Sequence, residues 1–506
     1  MTAPRARPVA CRGGAQGVGP PVIYEVNTWV WLGEMERRYG RRMDLRDLPE
    51  EAWDEIAVPG ADVVWLMGVW RRSPAGRAIA LADETLRAAA REALPDARDD
   101  DITGSPYCVR EYVAADRFGG RHGLATARAE LDRRGLGLFL DYVPNHVAPD
   151  HPWVRDHPDY FVRGDHTDLD RDPIAFIELG EHVYARGRDP FFAPWRDVVQ
   201  LDAFAPALRT ATVDVLSEIG ELCDGVRCDM AMLFMTDVFA RTWGERAGPA
   251  PVDDFWPAVL TRVREHHPAM TFVAEAYWDL EEPLLGQGFD FCYDKRLYDR
   301  LVHESAESVR GHLRAGLDYQ RGLVRFLENH DEPRAAATFG PAKEQAAAVA
   351  IATLPGATLW YEGQFEGRRV KIPVQLARRP AEPPDTALRE FHLRLVSAVR
   401  DSGMRDGDWR LLECIGWADN PSHRDLVAWC WTVDTARHLV VVNLLGHGAQ
   451  ARIPLPWDDL PGRRWTLRDL LAEVSYQRDG TEMFDPGLYV DLAGWAAHVF
   501  AVEPGA

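Results

Sequence analysis

Eight short apolar runs, separated by longer stretches of helical character, constrain this chain more than any other feature. They are VIYEVNTWVWL (22–32), VVWLMGVW (63–70), LGLFLDYV (136–143), GVRCDM (225–230), TFVAEAYW (271–278), FDFCYDKR (289–296), LVRFLEN (323–329) and ATLWYEG (357–363). Stretches such as LADETLRAAAREAL and EQAAAVAIATL lie between them and carry helical patterns. Strands that are apolar almost throughout are covered on both faces, as in a parallel sheet flanked by helices. Eight of them within about 350 residues predict an α/β chain folded as a (β/α)8 TIM barrel.

Two interruptions of this rhythm add further units. Between the third and fourth runs, residues 147–206 are rich in Asp, Pro, His and aromatics without a sustained helical period. A structureless loop of that length is improbable, so the segment predicts a small domain inserted after strand three. Beyond about residue 395, DLVAWCWTV, RHLVVVNLL, ARIPLP and GWAAHVFAVE are separated by turn residues, the signature of an antiparallel C-terminal β-sandwich domain. The expected division is a disordered leader (1–20), a first barrel part (21–146), the inserted domain (147–206), a second barrel part (207–395) and the C-terminal β-domain (396–506).

Composition narrows the partners. A net charge of -21 and a pI near 5.2 disfavour an electrostatic grip on nucleic acid or anionic lipid, and a neutral ligand fits better. No apolar run reaches about 18 residues, so no membrane span is expected. The seven cysteines show no C-x-x-C spacing, which argues against a disulfide framework and a zinc site. The basic N-terminus has no apolar core and reads as a leader, not a secretory signal, which makes the cytoplasm the expected location. The sequence carries no signal of oligomeric state.

In a barrel of this kind, reactive groups gather at the C-terminal ends of the strands, where the βα loops converge. Strand three ends in Asp141, Asn145 and His146 within DYVPNH, and strand four in Arg227 and Asp229. Strand five ends in Glu275, and strand seven in Asn329, His330 and Asp331. Any one of these acids could be a helix cap or a solvated carboxylate. Acids from several strand ends meeting at one mouth point instead to paired-carboxylate chemistry.

The segments DYVPNH, GVRCD, FVAEAYW and ENHDEPR resemble, in order and spacing, the four signature segments of the α-amylase family of retaining glycoside hydrolases and transglycosylases (glycoside hydrolase family 13). The resemblance extends to the inserted and C-terminal domains. It implies Asp229 as nucleophile, Glu275 as general acid/base and Asp331 as the group that stabilises the transition state. It also implies Tyr107, Asp141, His146, Arg227 and His330 as substrate-binding residues, with Tyr107 the platform beneath the sugar. Retaining chemistry requires one carboxylate to attack the anomeric carbon while a nearby carboxylic acid protonates the leaving oxygen. Arg227, two residues before Asp229 and so on the same face of the strand, is placed to keep that carboxylate ionised.

The departures from the family pattern bear on specificity. Met232 and Leu233 stand where many amylases carry Lys-His, which contact sugar on the leaving-group side. Cys108 follows the platform tyrosine where many α-glucosidases have an acid. Glu362, Glu366, Arg368 and Arg369 offer an unusual charged rim, or a solvated loop. Asn145 resembles a calcium ligand of secreted amylases, and Asp165, Asp168, Asp170 and Asp172 are further hard donors, although the catalytic chemistry requires no cofactor. The implied partner is a carbohydrate, an α-glucoside or α-glucan. Hydrolysis and intracellular glucan- or trehalose-type transfer both stay open, and a non-catalytic sugar-binding barrel is the competing class.

Overall fold

The computed structural model describes residues 19–505. The expected leader, apart from residues 19 and 20, and Cys11 lie outside the described residues. All eight apolar runs become strands of one closed parallel barrel: β1 (Val22–Asn27), β2 (Val63–Met67), β3 (Gly137–Tyr142), β4 (Gly225–Cys228), β5 (Thr271–Ala274), β6 (Phe291–Tyr293), β7 (Leu323–Arg325) and β8 (Ala357–Tyr361). Each strand pairs with its neighbours in sequence, and β8 closes on β1 through Val22 opposite Thr358. The strands are buried nearly throughout, as a sheet walled by side chains within and helices without requires.

The first run is shorter as a strand than its apolar length suggests. The Asn27 side chain accepts a hydrogen bond from the Val30 amide and starts the helix Thr28–Tyr39, so Trp29, Val30, Trp31 and Leu32 belong to that helix.

Between β3 and β4, the strands Arg163–Gly164, His182–Ala185 and Phe176–Leu179 form a three-stranded antiparallel sheet. His146–Val147 pairs antiparallel with Val199–Gln200, tying the departing chain to the returning one at the neck of this insertion. The helix Thr386–Ser402 runs through residue 395, so the C-terminal strands begin only at Asp408. There a six-stranded sheet faces a two-stranded one, Ala449–Ile453 with Leu488–Leu492. Along Leu426–Val433 the period of two sends Leu426, Ala428 and Cys430 into the core of this domain, and Val427, Trp429 and Trp431 into the barrel's core. The six cysteines among the described residues are buried. No helix among those residues is long and apolar enough to cross a membrane.

Candidate active site

Strand direction places the acids. The Asp229 amide donates to the Tyr142 carbonyl (2.8 Å) and the Glu275 amide to the Cys228 carbonyl (3.0 Å), so both residues continue the ladder just past the ends of β4 and β5. Arg227 stands within β4 abreast of Asp141. Its guanidinium collects three carboxylates: Nη1 lies 2.5 Å from Asp229 Oδ1, and Nη2 lies 2.7 Å from Glu275 Oε2 and 3.8 Å from Asp331 Oδ2. The same guanidinium lies over the rings of Tyr107 and Trp65, 5.2 and 5.5 Å from their centroids. Asp331 is the open member of the set, with 42% of its side chain exposed.

Glu275 is buried and held on both oxygens. Tyr277 donates its hydroxyl to Oε1 (2.8 Å), and the Met230 amide donates to Oε2 (2.6 Å). Met230 can do so because it turns into the left-handed region directly after Asp229 (φ 43°). Burial raises the Glu275 carboxyl to about 7; Arg227 opposes the rise, and the charges of Asp229 and Asp331 add to it. For Asp331 the surrounding wall also acts upward. The charge and hydrogen bond of His330, then Arg227 and Lys371, outweigh it and hold this carboxyl well below the usual range.

His330 links Tyr107 and Asp331 to Glu25 of β1. Its Nε2 lies 2.7 Å from the Tyr107 hydroxyl and 2.9 Å from Asp331 Oδ2, and its Nδ1 lies 2.5 Å from Glu25 Oε1. Burial would lower its proton affinity, but Asp331 and Glu25 overcome that and raise it to about 10, which keeps the ring an imidazolium. Tyr107 stacks on it at 5.2 Å. His146 is buried beside Trp195 (5.2 Å), and burial lowers its proton affinity. Asp141 accepts from the Trp65 indole (3.2 Å) and the Gly68 amide (2.7 Å), so both its oxygens are engaged in holding the turn after β2. Asn329 accepts from the amides of Asp331 and Glu332 and shapes the loop that presents Asp331.

Met232 and Leu233 lie buried in the short turn Ala231–Phe234 and pack into the core, so they present no surface to a leaving group. The loop that follows Glu275 is aromatic instead. Tyr277 and Trp278 follow it in sequence, and Trp278 meets Phe191 of the inserted segment edge to face at 4.8 Å. Asp189 accepts from the amides of Phe191 and Phe192 and turns both rings outward, 64% and 71% exposed. The rim resolves into ion pairs: Glu362 is buried against Arg379, Glu366 pairs with Arg389, Arg368 lies 3.9 Å from Glu34, and Arg369 donates to the Ala336 carbonyl.

Asn145 does not offer a free oxygen to a cation, because its side chain is paired with Gln200. Asp165 and Asp168 cap a helix reciprocally, and Asp168 also pairs with Arg171 and Arg246. Among the described residues, no group of three or more His, Cys, Asp or Glu is placed to hold a metal ion.

Three residues of this neighbourhood escape sequence reading: Glu25, Lys371 and Gln200. Only Glu25 leaves a trace, as the one acid within the apolar run of β1.

No known family profile matches the chain. Over 381 residues it is 25% identical to the α-amylase MalA of Haloarcula japonica, an overlap of 71% of this chain and 51% of that protein. Over 183 residues it is 27% identical to an α-1,4-glucan:maltose-1-phosphate maltosyltransferase of Pseudomonas aeruginosa, covering 34% of this chain and 23% of the relative. The chain thus spans about half or less of the length of these relatives. In fold it is similar to a maltogenic α-amylase, AmyB, of Thermotoga neapolitana, with a TM-score of 0.68 at 18% identity over 96% of this chain and 99% of the other. With its closed barrel and its four motif segments at the ends of β3, β4, β5 and β7, the chain is thus similar in sequence to these α-amylase and maltosyltransferase relatives and in fold to the maltogenic α-amylase.

Proposed function

We propose that this chain is a retaining enzyme acting on α-glucosides or α-glucans, with Asp229 as nucleophile, Glu275 as general acid/base and Asp331 as the stabiliser of the oxocarbenium-like transition state. The observation that carries the reading is the meeting of three carboxylates on the Arg227 guanidinium, with burial raising the Glu275 carboxyl to about 7. Carboxylates held by the two terminal nitrogens of one guanidinium stand close together, as attack and protonation on one glycosidic bond require. Asp229 attacks the anomeric carbon while Glu275 gives its proton to the departing oxygen. Glu275, now a carboxylate, takes a proton from water or an acceptor hydroxyl, whose oxygen displaces Asp229. Two inversions return the α configuration. Transfer instead of hydrolysis is the second reading, favoured by the maltosyltransferase relative.

The group that protonates the leaving oxygen stands beside the leaving group, so Tyr277, Trp278 and Phe191 border that position. Aromatic faces and the absence of nearby Met232 and Leu233 donors favour a short glycoside with an apolar or ring-faced leaving group over internal cleavage of starch. Asp229→Asn is expected to abolish turnover, and NMR of fresh product to show the α anomer. The β anomer, or full activity in Asp229→Asn, overturns the reading. A kcat/KM for starch above that for every disaccharide and aryl glucoside overturns the leaving-group preference. Product chromatography with maltose 1-phosphate and an acceptor glucan separates transfer from hydrolysis.

A further inference from the structure

At the neck of the insertion, three oxygens converge on one buried atom. Gln200 Nε2 donates to the Asn145 carbonyl (3.0 Å), to Asn145 Oδ1 (2.8 Å) and to the Leu201 carbonyl (3.0 Å). Gln200 Oε1 accepts from Asn145 Nδ2 (3.2 Å) and from the Arg188 amide (3.4 Å). Both residues are sealed from solvent, Gln200 at 0% and Asn145 at 1% exposure. The amide has one sensible orientation, because turning it over would set its oxygen against two backbone carbonyls and its nitrogen against the Arg188 N–H.

Oxygens that point to a common centre between two chain segments suit a positive guest. A calcium ion asks for six to eight oxygens at about 2.3 to 2.6 Å, usually with carboxylates among them. Here the three donors are carbonyls, they stand at hydrogen-bond length, and the centre is filled by a nitrogen of the chain itself. Of the inserted segment's acids, Asp165 and Asp168 are committed to a helix cap, Asp168 also to arginine pairs, and Asp172 accepts from the Ile174 and Ala175 amides. The residues present therefore do not fit the calcium ion that Asn145 suggests by resemblance.

We propose that the Gln200 amide stands in for a cation at this neck, so that barrel and insertion are joined without calcium. The amide offers its two N–H groups to the same lone pairs a cation would take. It leaves the neck neutral, so no carboxylates are required around it. The resulting network is buried and mutually satisfied, the condition under which such polar clusters fix one geometry. His146 lies one residue away, with Nδ1 3.3 Å from Asn145 Nδ2, so the amide also supports the loop that carries it.

The test is thermal unfolding of the full chain in chelator and in excess calcium, with elemental analysis of the purified protein. The wild type is expected to unfold at the same temperature in both and to carry no stoichiometric calcium. Gln200→Glu puts a fourth oxygen and a negative charge at the centre. Its Tm is expected to fall by several degrees in chelator and to rise again with calcium. A wild-type Tm that drops on chelation, calcium bound one to one, or a Gln200→Glu Tm equal to wild type in chelator overturns the proposal. Should Gln200→Glu not fold, Gln200→Met removes the donors without adding charge. A Tm below wild type in chelator then supports the proposal, and an equal Tm overturns it.

Discussion

Burial and two neighbouring negative charges lift the Glu275 carboxyl to about 7, against the pull of Arg227. A general acid must be protonated to act, so activity that depends on it is present below that value and lost as pH rises through it. The expected kcat/KM profile has a basic limb near pH 7 that Glu275→Gln abolishes together with most of the rate on poor leaving groups. A limb that survives in Glu275→Gln assigns it to another residue. His330 behaves in the opposite charge sense. Its folded proton affinity, about 10, lies above the ordinary 6.5 of histidine, so its ionic contribution to stability is complete below 6.5 and is lost as pH rises through about 10. Glu25, fully buried against His330 Nδ1, is one source of that shift. Glu25→Gln is expected to move the His330 titration downward, read by NMR of labelled histidine. Glu25→Ala, which leaves a buried cation short of a partner, should cost about 3 to 5 kcal/mol of stability. An unmoved titration in Glu25→Gln leaves Asp331 as the sole source.

At the level of elements, the C-terminal sheet is fastened to the barrel through a helix end. The helix Pro341–Thr353 leaves the Thr353 carbonyl without a partner in its own last turn. Two indoles supply it: Trp429 Nε1 donates at 3.1 Å and Trp431 Nε1 at 2.8 Å, from alternate positions on one strand. Both rings are buried. Trp431→Ala is expected to destabilise the protein by about 3 to 5 kcal/mol, most of it lost packing, and to lower Tm in calorimetry without altering KM, because the strand lies far in sequence and on another sheet from the carboxylates. Loss of substrate affinity at unchanged Tm contradicts this fastening. The loop after β5 is a different kind of element: Trp278 and Asp279 both adopt left-handed backbone (φ 63° and 62°), unusual for residues with side chains, and this turn aims Trp278 at Phe191. Phe191→Ala should lower kcat/KM for aryl glucosides by roughly 2- to 10-fold, the worth of one aromatic contact, and leave substrates with small leaving groups nearly unchanged.

For the molecule as a whole, a net charge of -21 surrounds a site in which the acids are matched by Arg227, His330 and Lys371. A neutral glycoside feels little of the outer field, so kcat/KM should vary by less than about twofold with ionic strength. A steep salt dependence points to a charged substrate instead. The architecture assigns separate tasks to its parts: the barrel converges the acids, the insertion supplies Phe191 and the Gln200 neck, and the C-terminal sheet packs on the barrel's helices through Trp429 and Trp431.

The sequence by itself determined the barrel, because strands buried on both faces must be apolar along their whole length, a pattern that survives without coordinates. It also singled out Asp229, Glu275, His330 and Asp331, which follow strand ends, and Arg227, two residues before Asp229 on the same strand face. The tertiary structure decided everything that depends on partners distant in the chain. Glu25 and His330 are 305 residues apart, and Gln200 is 55 residues from Asn145. Met232 and Leu233, three and four residues after Asp229, turn into the core, while Phe191 arrives from the insertion to meet Trp278 in the loop after Glu275. Burial, charge and hydrogen bonding act between neighbours in space, and linear order carries no record of which side chains those are.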